Sequence, residues 1–315
     1  MGQELTDQGR RKRFFGRDAE PPSPAKRSAR KQSVNDRDAF FASATAYTPL
    51  LAVETEHGVF VLSTEDGNVG RSLFINQTRG EFNVLRSGIA ALERAGCADR
   101  ARQGVFVDVG ANIGTSVVAA VRSFGFAGGI ALEPEPNNHM LLRFNVAGNG
   151  LGKSVTTLKV AASNRSGAAL LRLSPGKSGG HELQGPKGRR REGRESIKVK
   201  VVTLDTLVDR NLAAADGSGL IWIDAQGEEG HVLAGAGQLT KAGTPVILEL
   251  APRHLASHRG IDLLLAAAEE SYTHVADLRS NSRPKPIGTL ADLIGGAADG
   301  NAITDVLLLR NPDHV

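Results

Sequence analysis

The chain has 315 residues, 40% of them apolar and 23% charged, and one cysteine, Cys97. That length and apolar share allow one large α/β domain or two small ones. The lone cysteine excludes an internal disulfide, and no run reaches the roughly 18 apolar residues that cross a membrane. The formal charge of +4 is local: residues 1–35 carry nine Lys/Arg against four Asp/Glu, and the other 29 basic and 30 acidic residues nearly cancel. The folded part therefore has no nucleic-acid footprint. No secretory h-region opens the chain, and the cysteine usage fits a reducing cytoplasm.

In chain order, Met1 to Gln32 holds Arg10-Arg-Lys-Arg13 and Lys26-Arg-Ser-Ala-Arg-Lys31 and reads as part of a disordered basic tail over residues 1–35. Residues 36–104 are expected to flank a core. There Ala39–Leu51 reads as a helix or an extended arm, and Val59–Leu62 and Ser72–Ile75 as strands with turns at Gly67 and Gly70. Phe82, Leu85, Ile89 and Leu92 have helical spacing over Phe82–Ala95, which Gly96 stops.

A main domain is expected over 105–315. Val105–Val109 reads as a buried parallel strand, Thr115 as a helix N-cap, and Val117–Val121 as the helix after it. Ile130–Leu132 is a second strand, and Pro136 opens a helix carrying Met140, Leu141, Leu142, Phe144 and Val146. Val155–Ala161 is a third strand, with Ala168–Leu173 as a neighbour. Ser174–Ser196 is rich in Gly and Arg and reads as a mobile insertion, either a basic lid or a solvated loop. Then come strand Ile197–Val202, short helix Leu204–Leu207, strand Leu220–Ile223, helix Glu228–Leu239, strand Val246–Leu250 and helix Ile261–Ala268. His274–Leu278 and Val306–Leu309 close the chain as strands with no helix read between them. The alternation predicts an α/β fold with a doubly wound, mainly parallel Rossmann-like sheet and an antiparallel edge strand.

Chemistry concentrates at the predicted carboxyl ends of these strands, where doubly wound sheets bind ligands. Gly110 and Gly114 would let backbone approach a ligand closely. Asn112 stands where a dinucleotide turn has its middle glycine. Asp108, two residues before Gly110, would repel a pyrophosphate and suit an ammonium group; the alternative is a turn or helix-capping acid. Glu133 follows Gly110 by 23 positions, near where an acid takes a ribose diol. Ribose plus a cationic amino acid points to S-adenosylmethionine. Ala162 and Ser163, after the third strand, are placed to line an adenine pocket. The eight histidines are scattered and no spacing resembles a zinc site, so no metal is expected.

Four ordered blocks, Val107-Asp-Val-Gly-Ala-Asn-Ile-Gly114, Glu133-Pro-Glu-Pro136, Thr203-Leu-Asp205 and Ile223-Asp-Ala-Gln-Gly-Glu-Glu229, resemble the FkbM family of S-adenosylmethionine-dependent methyltransferases over roughly residues 72–250. The resemblance implies the class I methyltransferase form of the sheet. It also implies methyl transfer to a hydroxyl oxygen of a sugar, glycolipid or secondary metabolite. The acceptor would then be a small molecule or be glycan- or lipid-linked, with no specific nucleic acid and no transmembrane segment; nothing speaks to oligomeric state. The family usually shows Asp-x-Glu-Gly where this chain has Asp224-Ala-Gln226-Gly227. Gln226 cannot act as a base, and a metal role is weakened. Asp224 is the expected general base, its alternative being a helix N-cap. Glu249 and His254 are further catalytic candidates, and His231 is expected on the surface. A cofactor-binding scaffold without catalysis and a nicotinamide-dependent dehydrogenase stay open as rival readings.

Overall fold

The computed structural model describes residues 24–184, 195–280, 283–298 and 303–310. The tail up to residue 23 and Arg189-Arg-Arg191 lie outside them. The chain opens with α1 (Pro24–Ala44), the hairpin β1 (Leu50–Thr55) and β2 (Gly58–Ser63), then α2 (Val69–Asn76), α3 (Gly80–Arg94) and α4 (Ala98–Gln103). The first wound half follows: β3 (Val105–Val109), α5 (Thr115–Ser123), β4 (Gly128–Leu132), α6 (Pro136–Gly148) and β5 (Val155–Leu158). A second, smaller sheet holds β6 (Ala161–Ala162), β7 (Gly167–Arg172), β8 (Glu182–Leu183) and β9 (Ser196–Val202). The chain then runs through α7 (Asp205–Asp209), β10 (Leu220–Ile223), α8 (Glu229–Ala234), α9 (Gly237–Lys241), β11 (Val246–Leu250), α10 (Pro252–His258) and α11 (Ile261–Ser271). It closes with β12 (His274–Asp277), β13 (Lys285–Pro286), α12 (Leu290–Ala298) and β14 (Thr304–Leu309).

The main sheet has the order β13-β12-β14-β11-β10-β3-β4-β5. Strands β5, β4, β3, β10 and β11 run parallel; β14 is antiparallel to β11 and to β12. This is the doubly wound, mainly parallel sheet with an antiparallel edge that was expected. The order reverses between β3 and β10, which opens a crevice above their carboxyl ends. Alternate residues of the central strands feed two cores. Phe106, Trp222 and Ile247 pack with α3 and α5 on one face. Val107, Val109, Ile221, Ile223 and Leu248 pack with the later helices on the other.

The hairpin is fastened by side-chain amides that stand in for a neighbouring strand. Asn145 of α6 accepts from Val61 N at 2.6 Å and donates to Val61 O at 3.0 Å, and Asn149 treats Val59 likewise. Asn145 also donates to Ile113 O at 2.8 Å, tying the hairpin to the glycine turn.

Several elements differ from the sequence reading. Helix α1 begins at Pro24, inside the stretch read as a tail. Its last turns bury Phe41 and stack Phe40 on Phe74, and good helix formers carry the helix back from that anchor. Ser72–Ile75 is helical, not a strand: Asp66 accepts from Asn68 N and Gly70 N, which nucleates α2, and an apolar run alone cannot decide between the two forms. The third strand breaks after Leu158, so Ala162 belongs to the small sheet, paired with Val202. The Glu228–Leu239 helix is two, parted at Gly235, where a Cβ would run into Ser163 O. Helix α12 stands between the closing strands. Residues 174–184 of the predicted mobile insertion are built into the fold, with β8 among them.

The glycine turn is the tightest point. Gly110 has φ +82, and a Cβ there would collide with the backbone oxygen of Asp224. Gly110→Ala is therefore expected to cost at least ~2 kcal/mol of stability, from left-handed strain plus a clash that no side chain can relieve. Chemical denaturation checks this; an unchanged midpoint would mean that the two loops separate without cost.

Candidate functional site

Buried acids shape the crevice from below. Asp108 is 1% exposed and lies beneath the glycine turn. Its Oδ2 accepts from Val117 N at 3.1 Å, and its Oδ1 has no hydrogen-bond partner. Burial holds its carboxyl well above the usual carboxylate range, the Val117 N–H opposing and Asp224 and Glu133 adding to the shift. Asp108 is thus absent from the cavity wall and acts on it through the turn. Asn112, at φ +51, and Gly114, at φ +90, carry the chain into α5. A Cβ at Gly114 would stand 2.7 Å from Leu142 Cδ1, so this glycine serves helix packing. Thr115 starts α5, but Gly114 holds the capping position and no side chain caps it.

Glu133 closes the turn from β4. Its Oε2 accepts from Asn112 N at 2.9 Å and its Oε1 from Glu135 N at 2.8 Å. Burial pushes its carboxyl up to about 7 against those donors. Each oxygen keeps a second lone pair, and Glu133 lines the cavity. Glu135 in turn caps α6 by accepting from Asn138 N at 2.7 Å, with Pro136 in the first turn.

The loop after β10 is built the same way. Glu229 is fully buried, and its carboxylate accepts from Ala225 N and Gly227 N at 3.0–3.1 Å. It braces the loop and is not part of the cavity wall; burial raises it to about 7. Gln226, at φ +50, donates to Asp224 Oδ1 at 2.8 Å, leaving Oδ2 for the cavity. Burial pushes Asp224 up to about 6, against the Gln226 amide. The helix-cap alternative for Asp224 is not what the structure has: α8 begins at Glu229, after Glu228.

One cavity of about 780 Å³ opens above these turns, within the range of small-molecule sites. Gly110, Asn112, Glu133 and Ala162 border one end; Asp224, Glu249 and His254 border the other. Glu249 has no hydrogen-bond partner among the described residues. Burial, then Asp224, Glu229 and Asp305, push its carboxyl up to about 9. Two ion pairs edge this end: Arg79 Nε to Glu81 at 2.8 Å and Arg279 Nε to Asp305 at 2.6 Å. His254 is exposed on α10. Among the described residues no three His, Cys, Asp or Glu side chains are placed to hold a metal ion, and no helix is long and apolar enough to cross a membrane.

Sequence reasoning missed two groups. Ser178, Gly179, His181 and Leu183 reach the cavity from the segment read as a loose insertion. Beside it, His258 Nδ1 pairs with Glu228 at 2.9 Å and its Nε2 with Glu182 at 3.8 Å, while Ser163 Oγ donates to Glu228 at 3.0 Å. The two carboxylates hold the imidazole up at about 9 despite burial. His231 is partly buried against Glu228 rather than free on the surface. Only Asp66, four residues before Gly70, gave a local capping signal for the first group.

The donor set fits a nucleoside bearing a cationic amino acid. Acids, not cations, stand at the glycine turn, and the orphaned Asp108 Oδ1 lies beneath it. The sheet order and this crevice define a nucleoside-binding α/β domain of the methyltransferase type. The family model described as "Methyltransferase FkbM domain" matches residues 108–274, and the chain belongs to that family.

No curated protein matches the sequence. Among solved structures, the methyltransferase FkbM from Methylobacillus flagellatus KT is similar at 16% identity and TM-score 0.39, covering 66% of this chain and 44% of that one. The chain thus spans less than half the length of that relative. M. jannaschii TYW2 in complex with AdoMet shows 13% identity and TM-score 0.41, over 83% of this chain and 85% of that one. The O-methyltransferase from Bacillus cereus in complex with SAH shows 12% and 0.36, over 74% and 92%.

The His258 cluster makes stability pH-dependent. Its folded value of about 9 lies above the free value of 6.5. Its contribution is therefore complete below 6.5 and is lost as pH rises through about 9. Discounted for partial solvent screening, it amounts to about 1–2 kcal/mol. The stability gap between the parent and His258→Gln is expected to be widest near pH 6.5 and to close towards pH 10. Denaturant melts across that range check it, and a gap that stays constant refutes the charged clamp.

Proposed function

We propose that the chain transfers a methyl group from S-adenosylmethionine to a hydroxyl oxygen, with Asp224 as the general base. The observation that carries this reading is Asp224 itself: one oxygen pinned by Gln226, the other free on the cavity wall across from the glycine turn. The cofactor would supply an electrophilic methyl carbon on a sulfonium. Glu133 would take the ribose hydroxyls with its spare lone pairs. Asp108 and the turn would favour the amino-acid end.

At neutral pH Asp224, at about 6, is mostly ionised and can accept the hydroxyl proton. Glu249, at about 9, keeps its proton and can donate to a second acceptor oxygen. Acids on this wall, with Arg79 and Arg279 already paired, disfavour a phosphate or carboxylate. They favour a polyhydroxylated acceptor such as a sugar, a glycolipid headgroup or a hydroxylated secondary metabolite. His254 stands at the rim as a substrate contact. With one cysteine, the protein is assigned to the cytoplasm. The same acids oppose a dinucleotide's pyrophosphate, which weighs against the dehydrogenase reading.

Calorimetry should show heat with S-adenosylhomocysteine and none with NAD; the reverse result overturns the cofactor. With an accepted substrate, Asp224→Asn should keep cofactor affinity and lose about 100-fold or more in turnover. The parental rate should fall as pH drops through about 6, and this limb should vanish in the variant. Parental turnover in Asp224→Asn removes Asp224 as base, and methyl transfer to no acceptor under any condition favours the scaffold.

A further inference from the structure

We infer that the strap from Ser174 to Gln184 is the outer wall of the adenosine pocket, and that His181 binds the adenosine through a hydrogen bond donated from its Nε2. This rests on reading the cavity as the S-adenosylmethionine site.

The strap is fixed to the body of the protein at both ends. Ser178 is anchored by Asp66, which accepts from its N at 3.1 Å and from its Oγ at 2.6 Å. Asn138 donates to Ser178 O at 3.0 Å, and Gly67 N to Gly176 O at 3.0 Å. Gly179 lies so close to α2 that a Cβ would stand 3.1 Å from Val69 Cγ2. At the far end Arg172 pairs with Glu182 at 2.8 Å, and Glu182 joins His258.

Between these anchors the strap packs Leu183 with Ala161 and Leu171 of the small sheet, and these three line the cavity together with Leu132, Pro134 and Ala162. An apolar lining of this kind suits a flat purine. Ala161 and Ala162 follow β5, which lies beyond β4 and Glu133 in the strand order β10-β3-β4-β5, on the side away from Asp224. That is where the adenosine would extend if Glu133 holds its ribose.

His181 lines the same cavity, two residues before Leu183. Its Nδ1 accepts from Ser174 N at 3.0 Å, so in the neutral ring the proton sits on Nε2. Burial favours that neutral ring. The Ser174 bond thus presets both the tautomer and the ring orientation, leaving one fixed donor for a ligand acceptor. Glu135 and Asp66, the charged groups acting on the ring, lie on the Glu133 side of the cavity.

The test uses the full-length protein, calorimetry and two probes, S-adenosylhomocysteine and 5′-methylthioadenosine, which share the adenosine. In His181→Asn the amide oxygen can replace Nδ1 towards Ser174 but the distal donor is gone. In His181→Gln a donor stands near the Nε2 position but the Ser174 bond is gone. Asn is expected to weaken both probes by about tenfold and by the same factor, and Gln to stay within about threefold of the parent. Melting temperatures of the unliganded variants, which should match within ~2 °C, separate binding from folding. Parental affinity in His181→Asn overturns the proposal. So does a Gln loss equal to that of Asn, which would make the strap bond the whole effect. A loss confined to S-adenosylhomocysteine moves the contact to the amino-acid end and overturns the adenosine assignment. If the parent binds neither probe, the cofactor reading itself fails, a result distinct from a parent that binds and an indifferent variant.

Discussion

The structure depends on buried carboxylates that accept backbone N–H groups where strands turn into helices. Asp108 takes Val117 N, Glu133 takes Asn112 and Glu135 N, Glu229 takes Ala225 and Gly227 N, and Asp66 takes Asn68, Gly70 and Ser178 N. Turns at the end of a parallel sheet leave N–H groups without ladder or helix partners, and burying them bare is costly. A charged acceptor is worth about 1.5–3 kcal/mol per bond, yet burying the charge costs several kcal/mol. The balance shows in the carboxyls themselves. Glu133 and Glu229, with two or more donors each, rise only to about 7. Glu249, with none among the described residues, rises to about 9.

That balance sorts the acids by task. A carboxylate whose oxygens are all engaged by its own loop is a brace, and Glu229 is one despite standing in the motif beside Asp224. A carboxylate with an oxygen to spare on the cavity wall is free to meet a ligand. Asp224 has one by virtue of Gln226, Glu249 has both, and Glu133 has lone pairs left over from its bracing. The braces matter to chemistry all the same. They set the turns so that Gly110 packs on the Asp224 carbonyl, and this fixes the distance between the two halves of the cavity.

The central sheet and the placing of Gly110, Asn112 and Glu133 on one cavity were legible in the sequence, because both follow from local patterns. Val105 to Gly114 writes strand and turn in ten residues, with the helix directly after, and Glu133 follows at the spacing that one helix imposes. What failed needed partners far along the chain. The Ser72–Ile75 run is apolar in either form, and only Asp66 decides for a helix. His258 meets Glu182 and Glu228 across 76 and 30 positions, and Ser178 meets Asp66 across 112. Ser174–Gln184 looked unstructured because its order comes from side chains on other elements. Asp108 was read from its place before the glycine turn as a group for an ammonium or as a turn acid; the structure buries it under that turn with one oxygen on Val117 N.

Gln226 is the clearest case of a local departure explained by its surroundings. By sequence it removes a charge from a motif that usually carries one, which reads as lost chemistry. In the structure Asp224, Glu229, Glu249 and Asp305 already crowd this end: Asp305 raises Asp224, Asp224 raises Glu229, and all three raise Glu249. A further acid in the loop could not donate to Asp224 unless it held a proton, and when ionised it would push Asp224 further up. The amide donates at every pH and adds no charge. It keeps Asp224 near 6, low enough to be ionised at neutral pH and high enough to take a proton from a hydroxyl. The departure thus keeps Asp224 ionisable near neutral pH, and the acid most affected by the crowding becomes Glu249, which keeps its proton there.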